Sequence, residues 1–342
     1  MRKIKILSII LVTLLLITSC GTSKDKDVST NSYGNQDKKL EEVDIVLDWY
    51  PNAIHSFIYA AIEKGYFEEE GIKVNVQFPS NATDPLTLPA AGKATVGIYY
   101  QPDVIIARAN ENIPIKSIGA VVHEPLSVVI SLKEKNIERP KDLEGKIVGY
   151  SGNLLNEKYV KTMVEKDGGD PSKVEIIDIG FEILSSMVTK KVDATTGGLI
   201  NHEVPVMKYE GLEVNYFDPS DYGVPKYYEM VFVANDKTIN DERDKLEKFL
   251  RGAKKGFEFM KENPDEALEI LLKNQQKDSF PLTKSVEKQS LDILLSKMDS
   301  EEEPFLSQTK KSWEDKSKWL KEKGMINKSP DIDELFINIL NK

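Results

Sequence analysis

Cysteine is almost absent from this chain, with one residue, Cys20, in 342. No disulfide can close within a single copy, so the fold must be held by its apolar cores. Histidine is nearly as scarce: His55, His123 and His202 are scattered along the sequence. They offer no metal-ligand spacing, so no metal and no other cofactor is expected. Arginine occurs five times, at Arg2, Arg108, Arg139, Arg243 and Arg251. The formal net charge is −10 and no basic stripe offsets it, which argues against nucleic-acid binding. No apolar run after residue 20 approaches the ~20 residues that span a bilayer. No internal repeat is visible either.

What is present begins at the N-terminus. Arg2, Lys3 and Lys5 precede an apolar stretch, Ile6 to Ile17, and then Thr18-Ser19-Cys20-Gly21. This resembles a secretory signal ending in a bacterial lipobox. Residues 1–19 are therefore expected to be a signal peptide and Cys20 a lipidated residue. Two acyl chains on the thiol and a third on the new α-amine would anchor the protein stably to the membrane. Losing the signal removes three positive charges, so the mature chain carries about −13 (−10 − 3). Residues 20–42 are polar and cannot bury a core, so they read as a flexible tether. The folded body is expected outside the cell, on the outer face of the cytoplasmic membrane, as a monomer.

From Val43 the pattern alternates between strand-like and helix-like segments until about residue 200. That alternation predicts βαβ units and an α/β fold of mixed sheets with helices on both faces. The clearest unit is the first. Val43, Ile45 and Leu47 alternate as a strand, Pro51-Asn52 breaks it, and a helix begins at Ser56 and ends at Gly71. Apolar runs at Ser127–Leu132 and Met230–Ala234 suit buried strands. From Arg243 onward the chain reads as almost wholly helical, with charged faces in solvent. Trp313 and Trp319 there have the spacing of packing residues.

Four stretches fall where a strand ends and a helix starts, the place where open α/β sheets bind ligands. They are Asp48 to His55, Tyr99 to Asp103, Tyr150 to Asn153 and Gly197 to Glu203; His123-Glu124-Pro125 and Tyr227-Tyr228-Glu229 flank the two candidate crossing strands. Aromatic rings, amides, imidazoles and carboxylates in such loops suit a small, flat, polar ring. Tyr99 and Tyr100 cannot both face one cleft if the strand continues through them. Asp48 has two readings, as a cap of the following turn or as a ligand contact. Glu203 has the same two, because acids favour the first turn of a helix. None of the arginines falls in these stretches, whereas carboxylates do, so a neutral or cationic ligand is favoured over an anion.

These stretches, read in order, carry a resemblance. LDWYPN, EKGYFEEEGI, AAGKATVGIYYQPDVIIARA, GGLINHE and DYGVPKYYE together resemble the substrate-binding proteins of ABC transporters for thiamine pyrimidine precursors, over about Val43 to Ile326. The resemblance implies a type II periplasmic-binding-protein fold, two α/β lobes joined by two crossing hinge strands. Residues 43–130 and 232–342 would form lobe one and residues 131–231 lobe two. It implies a pyrimidine cargo caught by hinge closure, with a permease and ATPase subunits as partners. Trp49, Tyr99 and Tyr150 would stack on the ring. Asn52, Gln101 and Asn201 would pair with its nitrogens, and Glu124, Glu203 and Glu229 would accept from an amino group. His55 is a further candidate at the start of its helix. The relatives commonly carry Tyr-Trp where this chain has Leu199-Ile200, so one wall of the site would be aliphatic. Receptors for flavin-like or sulfonate-type solutes are the alternatives. The family also has an enzyme branch that makes a phosphorylated pyrimidine; it needs a cysteine-rich segment and a lysine holding pyridoxal phosphate, and this chain has no cysteine after Cys20.

Overall fold

A computed structural model describes residues 39–150, 154–180 and 182–340. The signal segment, Cys20, most of the tether and Ser151-Gly152-Asn153 lie outside the described residues. In chain order the strands are β1 (Glu41–Val46), β2 (Ile72–Gln77), β3 (Val96–Tyr99), β4 (Ile115–Val122), β5 (Ser127–Leu132), β6 (Ile147–Tyr150), β7 (Glu175–Asp178), β8 (Ala194–Leu199), β9 (Val214–Phe217) and β10 (Met230–Asn235). They form two sheets, ordered β2-β1-β3-β10-β4 and β7-β6-β8-β5-β9. In both, the fourth strand runs antiparallel to its neighbours while the first three are parallel. Connectivity explains this shared order. β5 and β10 are the strands the chain forms just after passing from one sheet to the other, so each enters its sheet from the opposite end. The passages themselves are residues 123–126 and 218–229.

The helices are α1 (Ser56–Glu63), α2 (Tyr66–Glu69), α3 (Asp84–Ala90), α4 (Gln101–Glu111), α5 (Leu154–Lys166), α6 (Ile183–Val188), α7 (Glu203–Tyr209), α8 (Asp236–Asp241), α9 (Arg243–Glu262), α10 (Pro264–Lys273), α11 (Lys284–Met298) and α12 (Lys310–Glu322). The single helix expected from Ser56 to Gly71 is in fact two. Gly65 adopts φ 73° and ends α1, and α2 restarts at Tyr66. The break turns Phe67 onto α9, where it stacks on Phe249 with centroids 5.7 Å apart and planes 4° from parallel. α9 carries a long apolar stripe, Leu246, Phe249, Leu250, Ala253, Phe257 and Met260, all buried. Gly256 on that stripe allows α1 to come close: a Cβ there would lie 2.3 Å from the carbonyl oxygen of Phe57.

The expectation of an almost wholly helical C-terminal third also needs correction. Residues 299–309 and 323–340 contain no α-helix. They run along β4, the last strand of its sheet. Leu306 N–H donates to Ala120 O at 3.0 Å, and Ser117 exchanges bonds with Leu335 and Ile337. An edge strand that would otherwise offer bare N–H and C=O groups is thereby covered.

Three apolar cores result. One fills the first sheet and α1, α9, α10 and α11, around Ile45, Phe57, Phe232, Phe249 and Phe257. One lies within the second sheet, around Ile130, Met187 and Met207. The third joins the two bodies: Val129, Val148 and Phe217 of the second sheet pack with Ala120, Val231 and Val233 of the first and with Tyr159, Tyr227, Trp313 and Trp319. The lobes therefore share a continuous core behind the passages. This is the type II periplasmic-binding-protein fold.

Candidate functional site

β1 and β3 are parallel neighbours, so their C-terminal ends open at the same rim of the first sheet. Asp48 follows β1 and Tyr100 follows β3. The Tyr100 hydroxyl donates to Asp48 Oδ2 at 3.3 Å, and His55 Nε2 lies 2.8 Å from Asp48 Oδ1. His55 has no exposed surface. Its Nδ1 accepts the backbone N–H of Asn52 at 3.3 Å, so the ring proton belongs on Nε2 and points at Asp48. Asn52 fixes this turn. Its side chain accepts from Ile54 N–H at 3.0 Å and donates to Tyr50 O at 3.2 Å. The Asn-Ala-Ile-His turn thus aims an imidazole at a buried carboxylate.

A second carboxylate approaches from the C-terminal helices. Glu287 on α11 accepts the Ala53 N–H at 2.8 Å and is 2% exposed. Burial raises its pKa above the usual carboxylate range, against the opposing pull of the Ala53 bond and of His202 and His55. The loop before α11 adds Phe280. Its ring stacks on Tyr50 at 5.9 Å and 9°, and meets Trp49 edge-on at 6.3 Å. Phe78 closes on Tyr50 at 6.0 Å.

The second sheet answers across the gap. β8 ends at Leu199, and a tight turn brings Asn201, His202 and Glu203 to face α11 and Phe280. The Glu203 carboxylate accepts Leu199 N–H at 2.6 Å through Oε2 and meets His202 Nδ1 at 2.9 Å through Oε1. His202 stacks on Phe280 with centroids 6.1 Å apart. Asn201 donates to Ser290 Oγ on α11 at 3.0 Å, and its own Oδ1 is buried without a partner. Burial alone would lower the pKa of His202, but the bond to Glu203 and the charge of Glu287 outweigh it, and the net shift is upward. Leu199 and Ile200 pack onto the first core.

Of the residues chosen from sequence, Trp49, Asn52, His55, Asn201 and Glu203 come together in this group. Tyr150 stands at the end of β6, half-buried. Four others lie elsewhere. Tyr99 is packed in the core shared by the lobes, since one step along β3 reverses the side chain and leaves Tyr100 on Asp48. Gln101 is fully buried, accepting Tyr228 N–H at 3.0 Å and donating to Ser312 Oγ at 3.3 Å. Glu229 is buried at the passages, where Oε2 accepts Leu126 N–H at 2.7 Å and Ser127 N–H at 3.4 Å. Glu124 is half-exposed and paired with Lys226 and Lys297 at 3.2 and 2.8 Å. Tyr100, Phe280 and Glu287 were missed. The pairing of Tyr99 with Tyr100 held a signal for the first. Nothing in the Lys- and Glu-rich C-terminal pattern marked the other two.

No group of three histidine, cysteine or acidic residues among the described residues is arranged to hold a metal ion. No helix among them is long and apolar enough to cross a membrane. The four described arginines are engaged away from this group. Arg108 pairs with Asp236, Arg139 with Asp167, Arg243 with Glu247 and Arg251 with Glu70.

Two lobes of identical sheet order, with carboxylates and rings from both facing each other at the strand ends, define the class: the substrate-binding-protein type of architecture. The crystal structure of the periplasmic aliphatic sulphonate binding protein SsuA from Escherichia coli superposes with a TM-score of 0.68 at 14% identity, covering 86% of this chain and 91% of that one. The family is more specific. A family model described as NMT1/THI5 like matches residues 52–267, and the chain belongs to that family. It is 44% identical over 339 residues to a formylaminopyrimidine-binding protein of Halalkalibacterium halodurans, covering 99% of both chains. It is 24% identical over 303 residues to a 4-amino-5-hydroxymethyl-2-methylpyrimidine phosphate synthase of Legionella pneumophila, covering 86% of this chain and 91% of that one.

Proposed function

We propose that this protein is the solute receptor of an ABC importer and that its solute is a pyrimidine precursor of thiamine, of the formylaminopyrimidine or hydroxymethylpyrimidine type. It holds the solute without transforming it. The lobes close on the ring, and the closed form docks on a permease driven by ATPase subunits. Lipid on Cys20 keeps the receptor at the outer face of the cytoplasmic membrane. The high identity to a formylaminopyrimidine-binding protein over the whole chain supports the cargo class.

The observation that carries the reading is the composition of the facing groups. Trp49, Tyr50, Phe280 and His202 form a chain of ring contacts from one lobe to the other. Beside them stand Asp48, Glu203 and Glu287, all held by N–H or O–H donors. An aminopyrimidine offers such a site a flat π-face and exocyclic N–H donors. Each aromatic pair would add ~0.5–1.5 kcal/mol beyond burial. Bonds from amino groups to carboxylates would be about twice as strong as neutral ones. We assign stacking to Trp49 and Tyr150, amide pairing to Asn52 and Asn201, and acceptance from the amino group to Glu203 and Asp48. His55 orients Asp48 rather than touching solute.

A sulfonate has no such fit, because the anion would meet carboxylates and the arginines are spent elsewhere. The synthase reading lacks its chemistry: no cysteine follows Cys20. Calorimetric titration of the mature chain with formylaminopyrimidine, hydroxymethylpyrimidine, riboflavin and an alkanesulfonate tests the reading. Saturable binding of a pyrimidine and none of the sulfonate is the expected result. Binding of the sulfonate alone would overturn it.

A further inference from the structure

Lys316 on α12 has no exposed surface. Its Nζ donates to the Tyr159 hydroxyl at 2.8 Å and sits 3.9, 4.6 and 4.8 Å from the ring centroids of Tyr227, Tyr159 and Trp319. Burial drives the pKa of this amine well below the usual lysine range, and the charges of the buried Glu229 and of Asp103 oppose that shift. Three aromatic faces line the place the amine occupies. Tyr227 stacks on Tyr159 with ring centroids 6.1 Å apart, and its hydroxyl draws the Glu229 pKa back against burial. Glu229 then takes the N–H groups of Leu126 and Ser127.

The origin of these parts matters more than their number. Tyr159 belongs to α5, which packs on the second sheet. Lys316 and Trp319 belong to α12, which packs with α4 beside the first. Leu126 ends the first passage between the sheets and Ser127 begins β5, and Tyr227 and Glu229 are in the second passage. One buried lysine and one buried glutamate, with two tyrosines between them, thus tie both lobes and both passages at a single place. Next to it, Gln101 binds Tyr228 N–H, so the second passage is held on two sides. Well-packed apolar side chains in place of such a pair are often neutral or better for stability, so stability alone does not account for it.

We propose that Lys316 and Glu229, linked through Tyr159 and Tyr227, are the fastening about which the lobes bend, and that they set how far the lobes stand open without solute. The proposal rests on the reading that the protein works by hinge closure. The front contacts between lobes are the Asn201–Ser290 bond, the His202–Phe280 stack and the packing of Leu199 and Ile200 on the first core, and none of them buries an ionisable group between the lobes. The rear set cannot separate without leaving buried polar groups unpaired. Opening is therefore a bend that spares the rear, and the solute pays for whatever fraction of the free population stands too wide to bind.

The test uses solute-free mature protein and the variants Tyr159→Phe, Lys316→Met and Lys316→Met with Glu229→Gln. Amide hydrogen exchange is read over residues 123–131, and the radius of gyration is taken by small-angle scattering. Tyr159→Phe and Lys316→Met are expected to speed exchange at Leu126 and Ser127 about tenfold and to enlarge the molecule. The double variant, in which the lysine and the carboxyl are removed together, is expected to return most of the way to the parent. Parent-like exchange and size in both single variants would overturn the proposal, and so would a double variant showing the summed effect of its parts. Tyr159→Phe keeps its ring and carries the test if Lys316→Met does not fold. Because no solute is present, the outcome is independent of the cargo: titration with formylaminopyrimidine can fail while the fastening holds, and the reverse.

Discussion

The front and rear of this molecule are built from the same kinds of side chain and behave as opposites. At the front, Asp48, Glu203 and Glu287 stand among Trp49, Tyr50, Phe280 and His202. At the rear, Glu229 stands among Tyr159, Tyr227, Trp319 and Lys316. The difference is in who satisfies whom. Each front carboxylate takes donors from its own lobe, and the lobes touch through few contacts. The rear carboxylate takes donors from both passages and acts on a buried lysine of a third element. A carboxylate satisfied from one side keeps capacity for a visitor; one satisfied from several sides is fixed in place. Residue type alone therefore does not separate a binding group from a structural one.

Removing Glu229 is the sharpest way to break this comparison. Burial raises its pKa, and the N–H groups of Leu126 and Ser127, the Tyr227 hydroxyl and the charge of Lys316 draw it back. Glu229→Ala leaves the buried N–H groups of Leu126 and Ser127 unpaired and removes the carboxylate whose charge acts on Lys316. The expected loss is ~3–5 kcal/mol of unfolding free energy, the range found when one partner of a buried pair is deleted. Urea denaturation followed by far-UV circular dichroism measures it. A loss no greater than that of an exposed residue would mean that rear and front carboxylates are alike.

Glu229 also shows where the sequence stops being legible. The strands were readable because apolar alternation and β-branched residues report burial directly: Ser127–Leu132 has the expected bounds, and the run Met230–Ala234 extends by one residue to Asn235. Gly65 was not read as a break because glycine within a helical pattern is tolerated unless packing needs the turn, and only the stack of Phe67 on Phe249 shows that it does. At the site, Asp48 to His55 could be read because the whole unit is local. Glu287 and Phe280 could not, since they reach the strand ends from more than two hundred residues away. Glu229 and Gln101 sat beside the right loops and point to the passages instead. Proximity in sequence places a residue near a cleft, but only the partners it finds in space decide which way it turns.

The next test sharpens the front half. Trp49 stands half-buried, edge-on to both Tyr50 and Phe280. Trp49→Ala is expected to weaken binding of formylaminopyrimidine by more than about tenfold, the loss of a stacking face together with its buried area. The thermal midpoint should change little, because the first core lies behind β1 and does not include this ring. Calorimetry and a melting curve on the same sample separate the two effects. Unchanged affinity would remove Trp49 from the site and leave the ring chain a packing feature.

The smallest expected effect distinguishes the two regions by pH. His202 has a pKa raised above 6.5, because its bond to Glu203 and the charge of Glu287 outweigh its burial. A group whose folded pKa is raised stabilises the fold fully below its unfolded value and loses that contribution as pH rises through the folded one. The contribution of His202 is thus present below about pH 6.5 and disappears at higher pH. Since the imidazolium lies on Phe280 across the lobes, its loss also loosens the front. His202→Ala should flatten the fall in stability above pH 6.5, while Lys316→Met should leave that slope intact. Denaturation at closely spaced pH values reads both. A slope that survives in His202→Ala would place the titrating group elsewhere.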